Sequence, residues 1–450
     1  MKKIAISIIC PLIGALLMTS CLKDDDDTVL SSDVALLSFS IGDLKTTHTI
    51  QKENGEDSTY TTVMSGKAVK FTIDQEQRAV YNSDSILFGM DVTHVLVDVT
   101  ADGGVCYQKP DGTLGSIEDS IDFTHPVIFR VTSHDELFTR DYVVSINVRK
   151  ADPKKTSWVQ YKEATFPANL FTEQKAFVKG DSLFVIGRDA DGAYHVATAS
   201  IANAVAWTAT ECRGVQSSGE GFSVVLAGDQ FYLTAGAELY CSRDAIVWNM
   251  VGATSNTLTL LAVEEVNDTM SMVWGANADS LVVSSDMMTW QCQQPKKGVG
   301  VGVASFCQSL KTNESIVRTI FVATPEETDT CAQVWTKLST EKGWEEIVPQ
   351  GANIYGCPNL EHLAVIRYAG NMYAFGGKSV GARKAPLAAF GACYESRDNG
   401  VTWKENKQAF SLPETFEGRA MSFSATSEGE YVWIMWSNGE VWRGRWNGLE

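Results

Sequence analysis

The chain has 450 residues, 44% of them hydrophobic, and a formal net charge of −18. That length points to two or three domains, and the acidic balance leaves no basic stripe of the kind that nucleic-acid binding requires. Asp and Glu are scattered as on a solvated surface, apart from one short run near the N-terminus.

Lys2 and Lys3 precede an almost wholly apolar stretch from Ile4 to Met18, too short to span a membrane comfortably as a permanent helix. Thr19 and Ser20 then lead to Cys21, followed by the acidic run Asp24, Asp25, Asp26 and Asp27. Small residues ending at a Cys resemble the lipobox of bacterial lipoproteins, in which the peptide is cut before the Cys and the Cys carries the lipid. An ordinary signal peptide with a chance Cys is the competing reading. The acidic run resembles the export signal of Bacteroidetes-type surface lipoproteins; physically it is a hydrated tether that does not fold. The resemblance implies a signal peptide at 1–20, lipidation of Cys21, an acidic tether at 21–33 and the membrane as a partner through the anchor. The expected location is the outer membrane, surface-exposed, with a periplasm-facing arrangement as the alternative.

Eight cysteines remain after Cys10 and Cys21, and none forms a C-x-x-C pair, which excludes zinc ribbons and thioredoxin-like redox sites. An exported protein can oxidise some of them, but their apolar strand contexts equally suit buried thiols.

Residues 34–150 read as strand throughout. Runs at 34–41, 68–73, 95–99, 127–131 and 142–148 alternate with period two, and Asp102-Gly103-Gly104 and Asp111-Gly112 supply turns. Short strands with turn signals predict a sandwich. The stretch from Asp122 to Val148 resembles the last hairpin of the Ig-like modules of Bacteroidetes lipoproteins, which implies an Ig-like β-sandwich over 34–150 acting as a spacer. Pro153 then marks a linker.

From residue 156 the chain repeats. Trp158, Trp207, Trp248, Trp290, Trp344 and Trp403 each sit in a strand-like context, spaced 49, 41, 42, 54 and 59 residues apart. Periods near 40–50 in an all-β chain predict a propeller with four strands per blade. Six apolar runs, at 182–187, 231–236, 270–275, 319–323, 372–377 and 431–436, are the expected second strands, hence six blades over 156–450. The last repeat stops before an outer Trp strand, whereas Trp158 has no blade before it. Residues 156–163 are therefore expected to complete the last blade and close the ring, leaving no open edge.

One copy of the repeat is complete: Ser396-Arg397-Asp398-Asn399-Gly400-Val401-Thr402-Trp403. Ser242–Trp248 and Ser284–Trp290 keep Ser-x-Asp and Trp but are one residue shorter. The full copy resembles the Asp-box of sialidase-like propellers, and Gly376-Gly377 after Met372 to Phe375 looks kelch-like. The resemblance implies structural roles for Ser396, Asp398, Gly400 and Trp403 on the propeller rim, away from a central site.

Catalytic signatures are sparse. No Arg-Ile-Pro or Arg-Leu-Pro occurs near Phe171–Phe184, the six His form no metal motif, and no G-x-S-x-G is present. No cofactor, metal or catalytic residue is expected. Arg367, on a first strand, and Arg419, read as opening the first strand of the last blade, are candidate ligand contacts. So are Trp436 and Trp442, from the aromatic crowd of the last repeat, although inter-sheet core explains any single Trp equally. The expectation is an all-β, lipid-anchored, non-catalytic envelope protein whose propeller binds a glycan or protein ligand. A glycoside-active, sialidase-like enzyme and an assembly subunit of an envelope complex are the alternatives.

Overall fold

The computed structural model describes residues 31–51, 57–216, 221–254, 256–267, 270–326, 329–349, 355–381, 386–406 and 410–449. The leader, Cys21 and residues 22–30 of the expected tether lie outside them. Two compact units divide the chain, Met1–Lys150 and Ala151–Glu450. Among the described residues the helical segments are two short 3-10 turns, Gly66–Ala68 and Glu414–Phe416; the other regular elements are strands.

The first unit contains a six-stranded sheet in the order Phe71–Asp74, Ala79–Asn82, Thr139–Ser145, Val127–Thr132, Gly104–Gln108, Leu114–Ser116. Leu36–Ile41 pairs antiparallel with Val97–Ala101, and Leu44–Gln51 with Asp57–Met64. The expected terminal hairpin is present as the antiparallel pair 127–132 and 139–145. Thr139–Ser145, however, runs parallel to Ala79–Asn82, so the main sheet is mixed. Inward-facing Leu36, Phe39, Val80, Phe129, Val131, Tyr142 and Val144 form the core. Phe39 meets Phe71, Phe123 and Phe129 edge-on. The buried Tyr142 hydroxyl accepts from Leu36 N–H at 3.2 Å and donates to Gln75 at 2.6 Å, so its burial leaves no polar atom stranded.

The second unit contains, among the described residues, six four-stranded sheets. In chain order their first strands are Glu173–Lys179, Phe222–Ala227, Thr259–Asn267, Val299–Leu310, Ala364–Tyr368 and Phe423–Glu428, and the sheets are called I to VI accordingly. Sheets I to V are antiparallel meanders of four consecutive strands. Sheet VI takes Phe423–Glu428, Tyr431–Trp436 and Val441–Trp446, and its fourth strand is Thr156–Gln160, paired antiparallel with Val441–Trp446. Trp158 sits opposite Gly444, and a Cβ on Gly444 would lie 2.8 Å from the Trp158 ring, so glycine is what lets the indole lie across the strand. Trp446 Nε1 and Asn447 Nδ2 donate to the carbonyls of Pro153 and Asp152, at 2.7 and 3.0 Å, extending the clasp. Each first strand touches the first strand of the next sheet, and that of sheet VI touches that of sheet I.

Second strands are buried on both faces. In Tyr431–Trp436 five of six residues are buried, because each second strand is packed against sheets on either side. Those contacts are largely aromatic. Phe177 and Phe184 of sheet I pack on Phe231 of sheet II. Trp274 of sheet III meets Trp344, which also packs on Phe321 of sheet IV. Each such ring removes roughly 150–250 Å² from water, the main stabilising term between sheets that share no hydrogen-bond ladder.

Candidate functional site

A cavity of about 650 Å³ lies among the first strands of sheets I, II, IV, V and VI. Volumes of this size suit a small ligand or one end of a larger one. Its walls mix apolar residues such as Phe177, Val224 and Phe306 with hydroxyls, including Ser305, Thr426 and Ser427. The charged side chains lining it are Glu173, Lys175, Arg188, Arg367 and Glu428, with His362 also at the wall. Arg188 is engaged by Glu173 at 2.8 Å, and Glu428 is exposed at the end of its strand.

Arg367 occupies the first strand of sheet V and points to neutral oxygens: the Gln308 side chain and the Cys307 carbonyl. Burial lowers its pKa from the ordinary arginine value. Lys175, on the first strand of sheet I, is partly buried and lies over the Phe177 ring at 5.8 Å. Burial pulls its ammonium down to about 8.

The Ser396–Trp403 turn is built as a closed hydrogen-bond unit. Ser396 Oγ donates to Asp398 at 2.9 Å and accepts from Gly400 N–H at 2.8 Å. Asp398 also accepts from the Thr402 N–H and hydroxyl at 2.8 and 2.6 Å, and the buried Trp403 indole donates to the Gly400 carbonyl at 3.0 Å. Burial opposes the charge on Asp398, but these donors hold its carboxyl below the usual aspartate range. Gly400 has φ of 88° and its missing Cβ would meet Val334 at 2.8 Å, two reasons for glycine there. The same scheme recurs in the shorter copies: Asp244 accepts from Ser242, Ile246 and Val247, and Asp286 from Ser284, Met288 and Thr289. There Ala245 and Met287 take the positive φ. Trp207 and Trp248 repeat the bond from the indole to the carbonyl three residues back. Among the contacts that leave the turn, Trp403 N–H donates to the Tyr355 carbonyl at 2.9 Å, and Asn399 accepts from Gln308, the residue that holds Arg367, at 2.6 Å.

Residues 152–450 match the DUF6242 beta propeller domain, and residues 39–146 match the N-terminal domain of the same family, a domain of unknown function.

The chain belongs to the DUF6242 family.

Several solved structures resemble the DUF6242 chain. A DUF4623 family protein from Bacteroides eggerthii is 12% identical, with 92% of this chain and 98% of that chain covered and a TM-score of 0.39. A protein of unknown function from Bacteroides thetaiotaomicron is also 12% identical, with 92% and 98% covered and a TM-score of 0.40. A mutant Aleuria aurantia lectin in complex with α-methyl-L-fucoside is 12% identical, with 62% and 92% covered and a TM-score of 0.38. No functionally curated protein is significantly similar in sequence.

Within the DUF6242 β-propeller the other sequence candidates gather outside the cavity. Arg419 does not open a strand. Gly418, with φ of 79°, turns the chain after Glu414–Phe416, and the first strand of sheet VI starts at Phe423. The Arg419 guanidinium stacks on Phe416 and Trp436 at 4.8 and 4.7 Å and pairs with Glu440 at 2.9 Å. Trp436 is fully buried against Phe390, Phe416 and Phe423, so it has no face to offer a ligand and is core. Trp442 is partly exposed, with its indole donating to Glu440 at 2.8 Å. Cys21 lies outside the described residues.

Lys175 and Gln308 escaped sequence reading because a lone polar residue on a strand carries no motif; only the fold brings Lys175 to the cavity and Gln308 to Arg367. A buried ion pair escaped likewise. Lys337 Nζ lies 2.9 Å from Glu264, both are buried, and Glu264 also accepts from the Trp274 indole at 2.9 Å. Among the described residues no group of three or more His, Cys, Asp or Glu is placed to hold a metal.

Proposed function

We propose that this DUF6242 protein is a lipid-anchored, non-catalytic envelope protein that binds a glycan or protein ligand in the central cavity of a six-bladed propeller. The observation that carries the reading is the 650 Å³ cavity lined by first strands of five sheets, with hydroxyls and cations set among apolar walls. The cyclic contact of six first strands and the pairing of 156–160 with 441–446 support the six-bladed closure. The self-contained hydrogen bonding of Ser396–Trp403 supports an Asp-box that braces its own turn. In the cavity wall Glu173 is tied to Arg188 and Glu428 sits at an exposed strand end, which favours binding over two-carboxylate glycoside chemistry. Among the described residues the arginines at the wall are Arg188 and Arg367, without Arg419, and two arginines do not make a triad.

The anchor belongs to the same proposal: Cys21 carries the lipid at the start of the tether at 21–33, and the N-terminal β unit serves as an Ig-like spacer at the outer-membrane surface. A glycan array probed with the full chain tests the ligand. Saturable binding to a defined glycan supports the glycan form, and a blank array removes it in favour of a protein ligand. Trypsin added to intact cells should digest the protein. Full protection would put it on the periplasmic face.

A further inference from the structure

Among the described residues, the cavity holds positive charge that no neighbouring carboxylate neutralises, inside a chain of net charge −18. Arg188 has Glu173, and Arg367 has only neutral oxygens. The Lys175 ammonium makes no hydrogen bond or ion pair to any described residue and lies over the Phe177 ring. Register makes the position stand out. Lys175 lies four residues before the end of its first strand, opposite Ile186. The equivalent positions in sheets II and VI are Ser223, opposite Thr234, and Ser424, opposite Met435. Both serines are buried, and their hydroxyls accept bonds from the adjoining sheet: Ser223 from Leu260 N–H at 2.9 Å, Ser424 from Gln174 Nε2 at 3.1 Å. Sheet I replaces that inter-sheet bond with an ammonium at the cavity wall. The first strand of sheet II, Phe222–Ala227, brings no charged residue to meet it, and Glu428, the one acid on the first strand of sheet VI, is at that strand's exposed end. A partly desolvated cation without a counter-ion is costly, and a bound anion removes that cost.

We propose that Lys175 is the charge partner for an anionic oxygen group, a carboxylate or a phosphate, on the ligand that enters this cavity. The inference rests on the cavity being the ligand site and adds the chemistry of what it holds. Arg367 supplies a second cation on the far side of sheet VI's first strand, fixed by Gln308 and Cys307. Since the burial-lowered ammonium loses its proton as pH rises through about 8, anion binding weakens above that pH.

Calorimetric titration of the full chain with inorganic phosphate, D-glucuronate and uncharged D-glucose tests the proposal. Expected is saturable binding of phosphate, glucuronate or both, weakened at least tenfold in Lys175→Met and kept within about threefold in Lys175→Arg. Binding of phosphate alone assigns a phosphate-bearing ligand, and glucuronate alone a carboxylate. Lys175→Met should melt no lower than the parent, because it removes an unpaired charge and keeps the aliphatic stem. Lack of saturable binding by both anions overturns the proposal, as does equal binding by Lys175→Met. If neutral glycans bind on the array while neither anion does, the cavity reading stands and this one falls. If the array is blank while phosphate binds through Lys175, the glycan form falls and this one stands.

Discussion

Asp398 and Asn399 are adjacent in one turn and do different work. Asp398 bonds only within the turn, so Asp398→Ala should cost about 1–2 kcal/mol and lower the melting temperature. Anion affinity should change less than twofold. Asn399→Ala instead releases Gln308 and through it Arg367, so it should weaken anion binding severalfold at little thermal cost, read by the same calorimetry. Asp286 gives a pH signature. Backbone N–H groups of Thr289 and Met288 pull its carboxyl down to about 2, below the value of about 3.9 in an unfolded chain. Its contribution is therefore fully present above about pH 4 and is lost as pH falls toward 2. Melting curves between pH 5 and 2.5 should fall less steeply for Asp286→Asn than for the parent. An unchanged slope would show that the turn contributes no stability through this charge.

At the scale of elements, burial decided what could be read in advance. Second strands are covered on both faces, so stretches such as 182–187 and 431–436 appear as continuous apolar runs and were legible without a structure. The fourth strands of sheets IV and V are short and largely exposed: Glu345–Glu346 and Lys404–Glu405 have two residues each. Only the Trp preceding them, Trp344 or Trp403, betrays them, because it alone must reach the core. Leu44–Gln51 and Asp57–Met64 were missed because their Thr-rich strands carry little apolar alternation. Arg367 was legible because it interrupts an apolar first strand. Trp436 misled because a Trp in a strand reads alike whether it faces a ligand or the next sheet. The Glu264–Lys337 pair joins sheets III and IV out of water. Lys337→Met alone should cost about 3–5 kcal/mol in urea unfolding, since it strands a buried carboxylate. Adding Glu264→Met should recover most of that loss, leaving the Trp274 indole as the remaining unpaired group.

For the whole molecule, the repeat spacing of the tryptophans carried the β-propeller expectation, and family membership agrees with it. The cavity was not legible, because its wall is drawn from strands of five sheets far apart in the chain. The pairing of Thr156–Gln160 with Val441–Trp446 has a consequence for the order in which the protein is made. The first propeller strand to leave the ribosome is among the last to find its partner, since nearly the whole unit must be synthesised before residue 441 appears. Non-local pairing of this kind slows folding, and until it forms two β edges lie open to other chains. A chain cut after residue 440 should therefore aggregate in sedimentation rather than persist as a slightly smaller ring. Under the proposed export of the chain, this pairing stays unmade until residue 441 has been translocated, a delay that the strand order itself imposes.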